Sequence, residues 1–141
     1  MRKLLTLGLS VALLSACTAT AYLSPVQGPL STRIPPPTLT LEQSGLGVSV
    51  VLEDGEVCSG PIAILPPTDS SARELSTEWD LVYGSGYYLA HVLGTRIYRS
   101  TLVGNKGTTL EVEHSIAPVN SNGIVVGVAK DNRGNIYKAN F

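Results

Sequence analysis

The chain has 141 residues, ten basic and eleven acidic side chains, and a formal net charge of −1 at pH 7. A protein that binds nucleic acid needs clustered basic residues, and this sequence has neither a basic run nor an amphipathic helix rich in lysine and arginine. We therefore expect no nucleic-acid partner. The length suits one domain with a modest core.

The first residues have the order of a secretory signal. Arg2 and Lys3 precede an apolar run over residues 4–14, which is shorter than the about 20 residues that a membrane-spanning helix needs. The run ends in the sequence LSAC, with Ala16 followed by Cys17, and this ending resembles a bacterial lipobox. The resemblance implies that residues 1–16 are a lipoprotein signal peptide, cleaved between Ala16 and Cys17, and that Cys17 carries the lipid. An ordinary signal peptide with an incidental cysteine is the alternative.

Lipid on Cys17 would make the membrane a partner of the protein. Two or three acyl chains anchor a protein stably, whereas a single chain binds a bilayer only marginally. Lipoproteins kept in the inner membrane of enteric-type bacteria often have Asp after the acylated cysteine, and Thr18 follows Cys17 here. The expected location is the cell envelope, at the outer membrane and facing the periplasm.

The next segment, residues 17–38, contains five prolines. A Pro-rich linker is extended, at about 3.1 Å per residue, so this segment is predicted to be a tether that holds the domain roughly 60 Å from the bilayer. The alternative is that parts of the segment pack on the domain.

Residues 39–141 have the period-two pattern of antiparallel strands and are predicted to form a single β-rich domain. Val48 and Val50 point to one face of a first strand, and Asp54-Gly55 follows as a hairpin signal. The other strands are predicted over residues 57–65, 96–103, 108–114, 123–130 and 135–141. The last two of these flank the turn sequence DNRGN.

One segment, SSARELSTEWDLVYG, has helical rather than strand spacing. Ser71 stands three residues before Glu74, which is a capping-box arrangement. With Gly84 at its end, the predicted helix covers residues 71–83 and packs Trp79 on the sheet. The sequence GYYLAHVLG fits either a second short helix or a strand.

The predicted fold is therefore mainly β, of the α+β class. We expect an antiparallel sheet of about five to seven strands, curled into a small sandwich or a partly open barrel. One helix near residues 71–83 covers it.

The order of these elements resembles a family of small uncharacterised bacterial lipoproteins. The resemblance lies in the sequences SPVQGPL, DGEVCSG, EWDLVYGSGYYLAHVLGTRIY, GTTLEVE and GVAKDNRGNIYKANF, which span nearly the whole chain after the signal. It implies a shared fold but no activity. Some relatives have a second cysteine just before the Gly-Thr-Thr strand, where this sequence has Gly104 or its neighbours.

Cys58 is then the free thiol of the chain. The simplest interpretation is a small apolar residue buried in a strand. Pairing with another chain and a catalytic thiol are the alternatives, and the second would need His91 or His114 nearby in space.

The sequence gives only weak support for other candidate sites. Trp79, Tyr87 and Tyr88 are candidates for an aromatic ligand platform, although such residues more often pack in a core. Glu111 and Glu113 share a strand face as paired carboxylates, and acid–base chemistry would require one of them to be desolvated. We expect no catalytic residues, no metal site and no cofactor.

Two classes of function are compatible with these features. The first is a lipid-anchored, non-catalytic envelope protein with a structural role or a role in binding another envelope protein. Inhibition of a wall hydrolase and phage exclusion are special cases of it. The alternative is an enzyme or ligand-binding protein that acts on envelope polymer.

Overall fold

Eight antiparallel strands form a closed barrel in which each strand pairs with the next one along the chain. The structure, a computed structural model, describes residues 18–45, 47–66, 74–116 and 125–141. The last strand also pairs with the first, which closes the barrel. The strands are β1 (Thr18–Gln27), β2 (Leu39–Ser44), β3 (Gly47–Val51), β4 (Val57–Leu65), β5 (Ile97–Gly104), β6 (Thr109–Ile116), β7 (Val125–Asp131) and β8 (Ile136–Asn140).

The mainly β character and the small helix are confirmed, but the predicted sheet was wrong in strand number and in closure. The sequence indicates about five to seven strands in a sandwich or a partly open barrel, whereas the barrel is closed and has eight. The strands predicted from period-two patterns correspond to β3–β8. The two additional strands are β1 and β2, and both come before the first predicted strand.

β1 shows that the Pro-rich tether predicted over residues 17–38 was wrong for Thr18–Gln27, and that the alternative, in which parts of the segment pack on the domain, holds there. This strand pairs with β2 on one side and β8 on the other, and Ala21 and Leu23 are fully buried inside the barrel. Pro25 lies beside a shift of register between β1 and β8, which is where a strand tolerates proline. The domain therefore begins well before residue 39. Residues 1–17, on which the signal and lipid predictions fall, lie outside the described residues.

The interior of the barrel is filled by side chains, as is usual for a barrel of eight strands. Small and medium apolar residues from all strands alternate with outward-facing residues, and the strand periodicity of two therefore sets the core. The buried interior side chains are Ala21, Leu23, Leu39, Leu41, Val48, Val50, Leu52, Cys58, Leu102, Leu110, Val112, Ala129, Tyr137 and Ala139.

The up-and-down connection divides the loops between the two ends of the barrel. The loops that follow β1, β3, β5 and β7 lie at one end, which we call the polar end. The other end contains the start of β1 and the last residues of β2, β4 and β6, and we call this the N-terminal end. The loop after β1 contains a 3-10 turn, Pro29–Thr32, whose Leu30 packs against the barrel core.

One α-helix is present among the described residues, and this helix, α1 (Ser76–Tyr83), packs on the outer face of β7 and β8. Trp79 is fully buried there with Leu75, Ile97 and Val128. The helix ends at Gly84, which has a φ of 113°, as the sequence predicts. It begins at Ser76 rather than at residue 71, and Ser71 of the predicted capping box lies outside the described residues.

The ambiguous sequence GYYLAHVLG contains a π-helical turn, Tyr88–Val92. Val92 and Tyr88 are buried in the same outer cluster as Trp79. Among the helices that the structure describes, none has the length and apolar character needed to cross a membrane.

Candidate functional site

A cavity of about 570 Å³ opens at the polar end of the barrel. Its volume is in the range of about 300–1,000 Å³ that is usual for ligand pockets, and barrel mouths are a preferred place for such pockets. We call this site the polar mouth. It is lined by Pro29, Leu30, Arg33, Leu39, Leu52, Glu53, Asp54, Asp131, Arg133, Asn135 and Tyr137.

Two arginines at the polar mouth keep much of their side chains in solvent. Arg33 is paired with Glu53, and the side chain of Arg33 is 57% exposed. Arg133 is 46% exposed and lies 3.4 Å from Asp54 Oδ2. Exposed ion pairs of this kind contribute only about 0–1 kcal/mol. An anionic group from a binding partner can therefore replace Glu53 or Asp54 at little cost.

Glu56 lies beneath Arg133 and is fully buried. Its carboxylate accepts hydrogen bonds from the backbone N–H of Lys106 (2.8 Å) and of Thr108 (3.0 Å), and from the Thr108 hydroxyl (2.5 Å). Arg133 Nη2 donates to the same carboxylate at 2.8 Å. Burial alone would raise the pKa of Glu56, but the bonds from Thr108 and Lys106 outweigh it and hold that pKa below its usual value. Glu56 thus fixes the β5–β6 turn and supports Arg133.

Asp131 organises the β7–β8 turn, which carries Arg133. Its Oδ1 accepts hydrogen bonds from the backbone N–H groups of Arg133 and Asn135, each at 2.9 Å. The Tyr137 hydroxyl donates to Oδ2 at 2.7 Å. Burial raises the pKa of Tyr137, which keeps this donor protonated. The Asn135 side chain in turn accepts a hydrogen bond from the Leu30 N–H at 2.9 Å, which joins the 3-10 turn to the β7–β8 turn.

Cys58 is a buried free thiol, as the core interpretation predicts. It pairs with Gly104 in the β4–β5 register, and a Cβ atom at Gly104 would lie 2.9 Å from its sulfur. Burial raises the pKa of Cys58. His114 stacks on Tyr98 instead, with ring centroids 4.9 Å apart, and lies toward the N-terminal end. His91 packs on Tyr87, on the outside of the barrel beside α1.

The candidate aromatic platform of Trp79, Tyr87 and Tyr88 is not an exposed surface. Trp79 of α1 and Tyr88 of the π-helical turn are buried in the outer cluster against the barrel, and only Tyr87 of the three is partly accessible. Trp79 stacks on Tyr83 and Tyr87 with ring centroids 5.6 and 6.2 Å apart. These rings pack the helix against the barrel, so the platform interpretation was wrong.

The two carboxylates predicted as a pair on β6 differ in solvent exposure. Glu111 is half-buried, whereas Glu113 is fully buried. Glu113 accepts hydrogen bonds from Arg99 Nε and from Trp79 Nε1, both at 2.9 Å. Burial raises the pKa of Glu113 against the opposing effects of Arg99 and Trp79. This carboxylate fastens α1 to the barrel and faces no cavity of the polar mouth.

The sequence interpretation missed the residues that form the polar mouth. Arg33 stands in the predicted tether, and Arg133 was placed only in a hairpin turn. In the part of the chain that the structure describes, no group of three or more His, Cys, Asp or Glu side chains could hold a metal ion. The chain matches no model of a protein family, no curated protein and no solved structure.

Proposed function

We propose that the chain is a lipid-anchored protein of the bacterial cell envelope and that its barrel binds another envelope protein without catalysing a reaction. In this proposal the signal is cleaved behind Ala16 and Cys17 carries the lipid. The membrane is the outer one, with the barrel in the periplasm, because Thr18 rather than Asp follows Cys17.

The polar mouth is the observation that carries the binding role. Two half-exposed guanidinium groups stand at its rim, and Leu30, Leu39 and Leu52 supply an apolar floor. Arginine is suited to planar, bidentate recognition of a carboxylate. The mouth therefore fits an acidic side chain, or a terminal carboxylate, on a segment of the partner protein.

The buried carboxylates support binding rather than acid–base catalysis. A general acid or base must reach the proton that it transfers. Glu56 is not among the residues that line the cavity, whereas Asp131 lines it. The oxygens of both carboxylates accept several hydrogen bonds from the chain itself. They hold the mouth in shape, and this is the role of residues that preorganise a binding site.

Site-specific photo-crosslinking in living bacteria tests this proposal. A photoreactive amino acid at Glu53, on the rim, should capture one discrete protein. The same group at Tyr22, which is exposed on the outer wall of β1, should not capture it. Arg33→Ala should lower the yield at Glu53 about tenfold, because a hydrogen bond to a charged group is worth about 1.5–3 kcal/mol. Arg96→Ala, which removes another exposed arginine, is the matched control and should leave the yield unchanged.

Three outcomes would contradict the proposal. One is the same capture pattern from Glu53 and Tyr22. Another is an equal yield in Arg33→Ala and Arg96→Ala. The third is a small molecule that purifies with the wild type and not with Arg33→Ala, which would replace the protein partner with a ligand.

A further inference from the structure

The start of β1 determines how the barrel lies relative to a lipid on Cys17. We propose that the N-terminal end of the barrel rests directly on the bilayer, and that the side chains of Ile64 and Phe141 at this end contact the lipid interface. This inference rests on the proposed acylation of Cys17. It also places the polar mouth on the side of the barrel that faces away from the membrane.

The first argument is the length of chain between the lipid and the barrel. Thr18 already pairs with Ser44 in the β1–β2 ladder. Consecutive Cα atoms are about 3.8 Å apart, so the Cα atom of Cys17 is one such step from a residue fixed in the barrel. An extended tether with a reach of tens of ångströms is therefore absent. An acyl chain on Cys17 that enters the bilayer brings the neighbouring end of the barrel to the headgroups.

The second argument is a group of side chains at that end, within the described residues. Ile64, Tyr98 and His114 follow one another across β4, β5 and β6 in the strand register. Phe141 lies next to His114, with ring centroids 4.9 Å apart. Ile64 is 56% exposed and Phe141 is 40% exposed. Aromatic and apolar side chains of this kind are favoured at a membrane interface.

The charge of His114 is consistent with an apolar surface. Burial lowers the pKa of this side chain to about 4, so the imidazole is neutral in the periplasmic pH range. The stacked rings of Tyr98 and His114 therefore add no net charge to the N-terminal end.

The third argument is the contrast with the opposite end. The polar end exposes the charged side chains of Arg33, Glu53, Asp54 and Arg133, whose transfer to lipid would be costly. Lys106 is exposed at the same end. Exposed apolar side chains do not separate the two ends, because Val51, Val57 and Val103 are exposed at the polar end. Arg96 is exposed at the N-terminal end, where a basic side chain can meet lipid headgroups. The contrast is therefore the cluster of carboxylates and guanidinium groups at the polar end.

Quenching of tryptophan fluorescence by brominated lipid tests this orientation. Residues 17–141 contain all eight strands and can be prepared with Cys58→Ala, so that Cys17 is the sole thiol and can be coupled to a maleimide phospholipid. Phe141→Trp then places a probe at the N-terminal end. Val57→Trp places a matched probe at the polar end, where Val57 is 46% exposed. Trp79 stays in both proteins as a constant background.

The vesicles are made of phosphatidylethanolamine and phosphatidylglycerol, with or without acyl chains brominated near the glycerol. We expect the tryptophan introduced at position 141 to shift to the blue on vesicles and to lose most of its emission to bromine. The tryptophan introduced at position 57 should emit equally on both kinds of vesicle. Ile64→Trp is a second probe of the N-terminal end, for use if Phe141→Trp does not fold.

Equal quenching at the two ends, or stronger quenching at position 57, would overturn the proposed orientation. Because the lipid is attached chemically, this result does not depend on acylation in the cell. A failure of acylation in the cell would overturn the proposed function and leave the measured orientation of the barrel intact.

Discussion

Replacing Arg99 with methionine should destabilise the barrel strongly through Glu113. Arg99 is nine-tenths buried and donates to the fully buried Glu113 carboxylate. Removing one partner of a buried ion pair typically costs about 3–5 kcal/mol, because the other charge stays in a poorly solvated place. A domain has only about 5–15 kcal/mol in total, so the free energy of unfolding of Arg99→Met should fall by a large fraction.

The effect should also depend on pH in a defined direction. Burial raises the pKa of Glu113 even beside Arg99, and loss of the guanidinium raises that pKa further. When folding raises the pKa of a carboxyl group, the folded protein holds the proton more tightly than the unfolded chain does. The resulting stabilisation is complete at pH values below the pKa of the unfolded chain, and it is lost as the pH rises through the pKa of the folded protein. Arg99→Met should therefore lose more stability relative to wild type at about pH 8 than at about pH 5.

A second substitution makes the prediction specific to the buried charge. Glu113→Gln removes the charge and keeps an oxygen that can accept the Trp79 N–H. The double variant Arg99→Met/Glu113→Gln should recover about 2 kcal/mol and lose the added pH dependence. Urea unfolding followed by far-ultraviolet circular dichroism measures all three variants. A loss below about 1 kcal/mol in Arg99→Met, or a double variant no more stable than the single one, would refute this reasoning.

Three further predictions concern single buried side chains. Trp79→Ala should lower the free energy of unfolding by about 3–5 kcal/mol. Trp79→Phe should lower it by about 1–3 kcal/mol, since this variant loses mainly the hydrogen bond to Glu113. Native Trp79 fluorescence should be blue-shifted and poorly quenched by iodide, and red-shifted, readily quenched emission would contradict its burial. Cys58→Ala should lower the free energy of unfolding by about 1 kcal/mol. The native thiol should react with maleimide only after unfolding. A dimer on non-reducing gels that vanishes in Cys58→Ala would contradict the role of Cys58 as a core residue. Burial lowers the pKa of His114 from its ordinary value of 6.5 to about 4. The neutral side chain should therefore contribute about 3 kcal/mol to the free energy of unfolding above pH 6.5, and this contribution is lost as pH falls to about 4. His114→Phe should flatten this part of the stability profile in urea unfolding, and an unchanged profile would contradict the assignment.

The sequence predicts the strands that have their own local signals. Asp54-Gly55 and DNRGN mark two hairpins correctly, and Gly55 and Gly134 take the positive φ values that such turns need. Closure of the barrel has no local signal, because it depends on pairing between β1 and β8 at opposite ends of the described chain. The periodicity of the sequence therefore could not predict the number of strands or the closure of the barrel.

Proline content explains why β1 was mistaken for a tether. Counting prolines over residues 17–38 ignores where each one lies. The inward positions Ala21 and Leu23 alternate as a strand requires, and Pro25 stands at a register shift that tolerates it. A period-two test of residues 18–27 alone would have detected this strand.

The polar mouth could not be predicted because its residues are distant in sequence. Arg33, Glu53 and Arg133 meet only when β1, β3 and β8 are arranged around the closed barrel. The prediction of an exposed platform was wrong for a related reason, since Trp79 lies on the face of α1 that contacts the barrel and donates a hydrogen bond to the buried Glu113. Glu113 and Arg99 share an outer face through the β5–β6 register, and a correct register would have paired them.

The lipid on Cys17 is the premise for both the location and the orientation proposed for this protein. Labelling of bacterial cells with radioactive palmitate tests it most directly, with Cys58→Ala as the matched control for loss of a thiol. The wild type and Cys58→Ala should both carry label and sediment with membranes. Cys17→Ser should carry none and should accumulate as an unprocessed or soluble form. Normal labelling of Cys17→Ser would contradict the account.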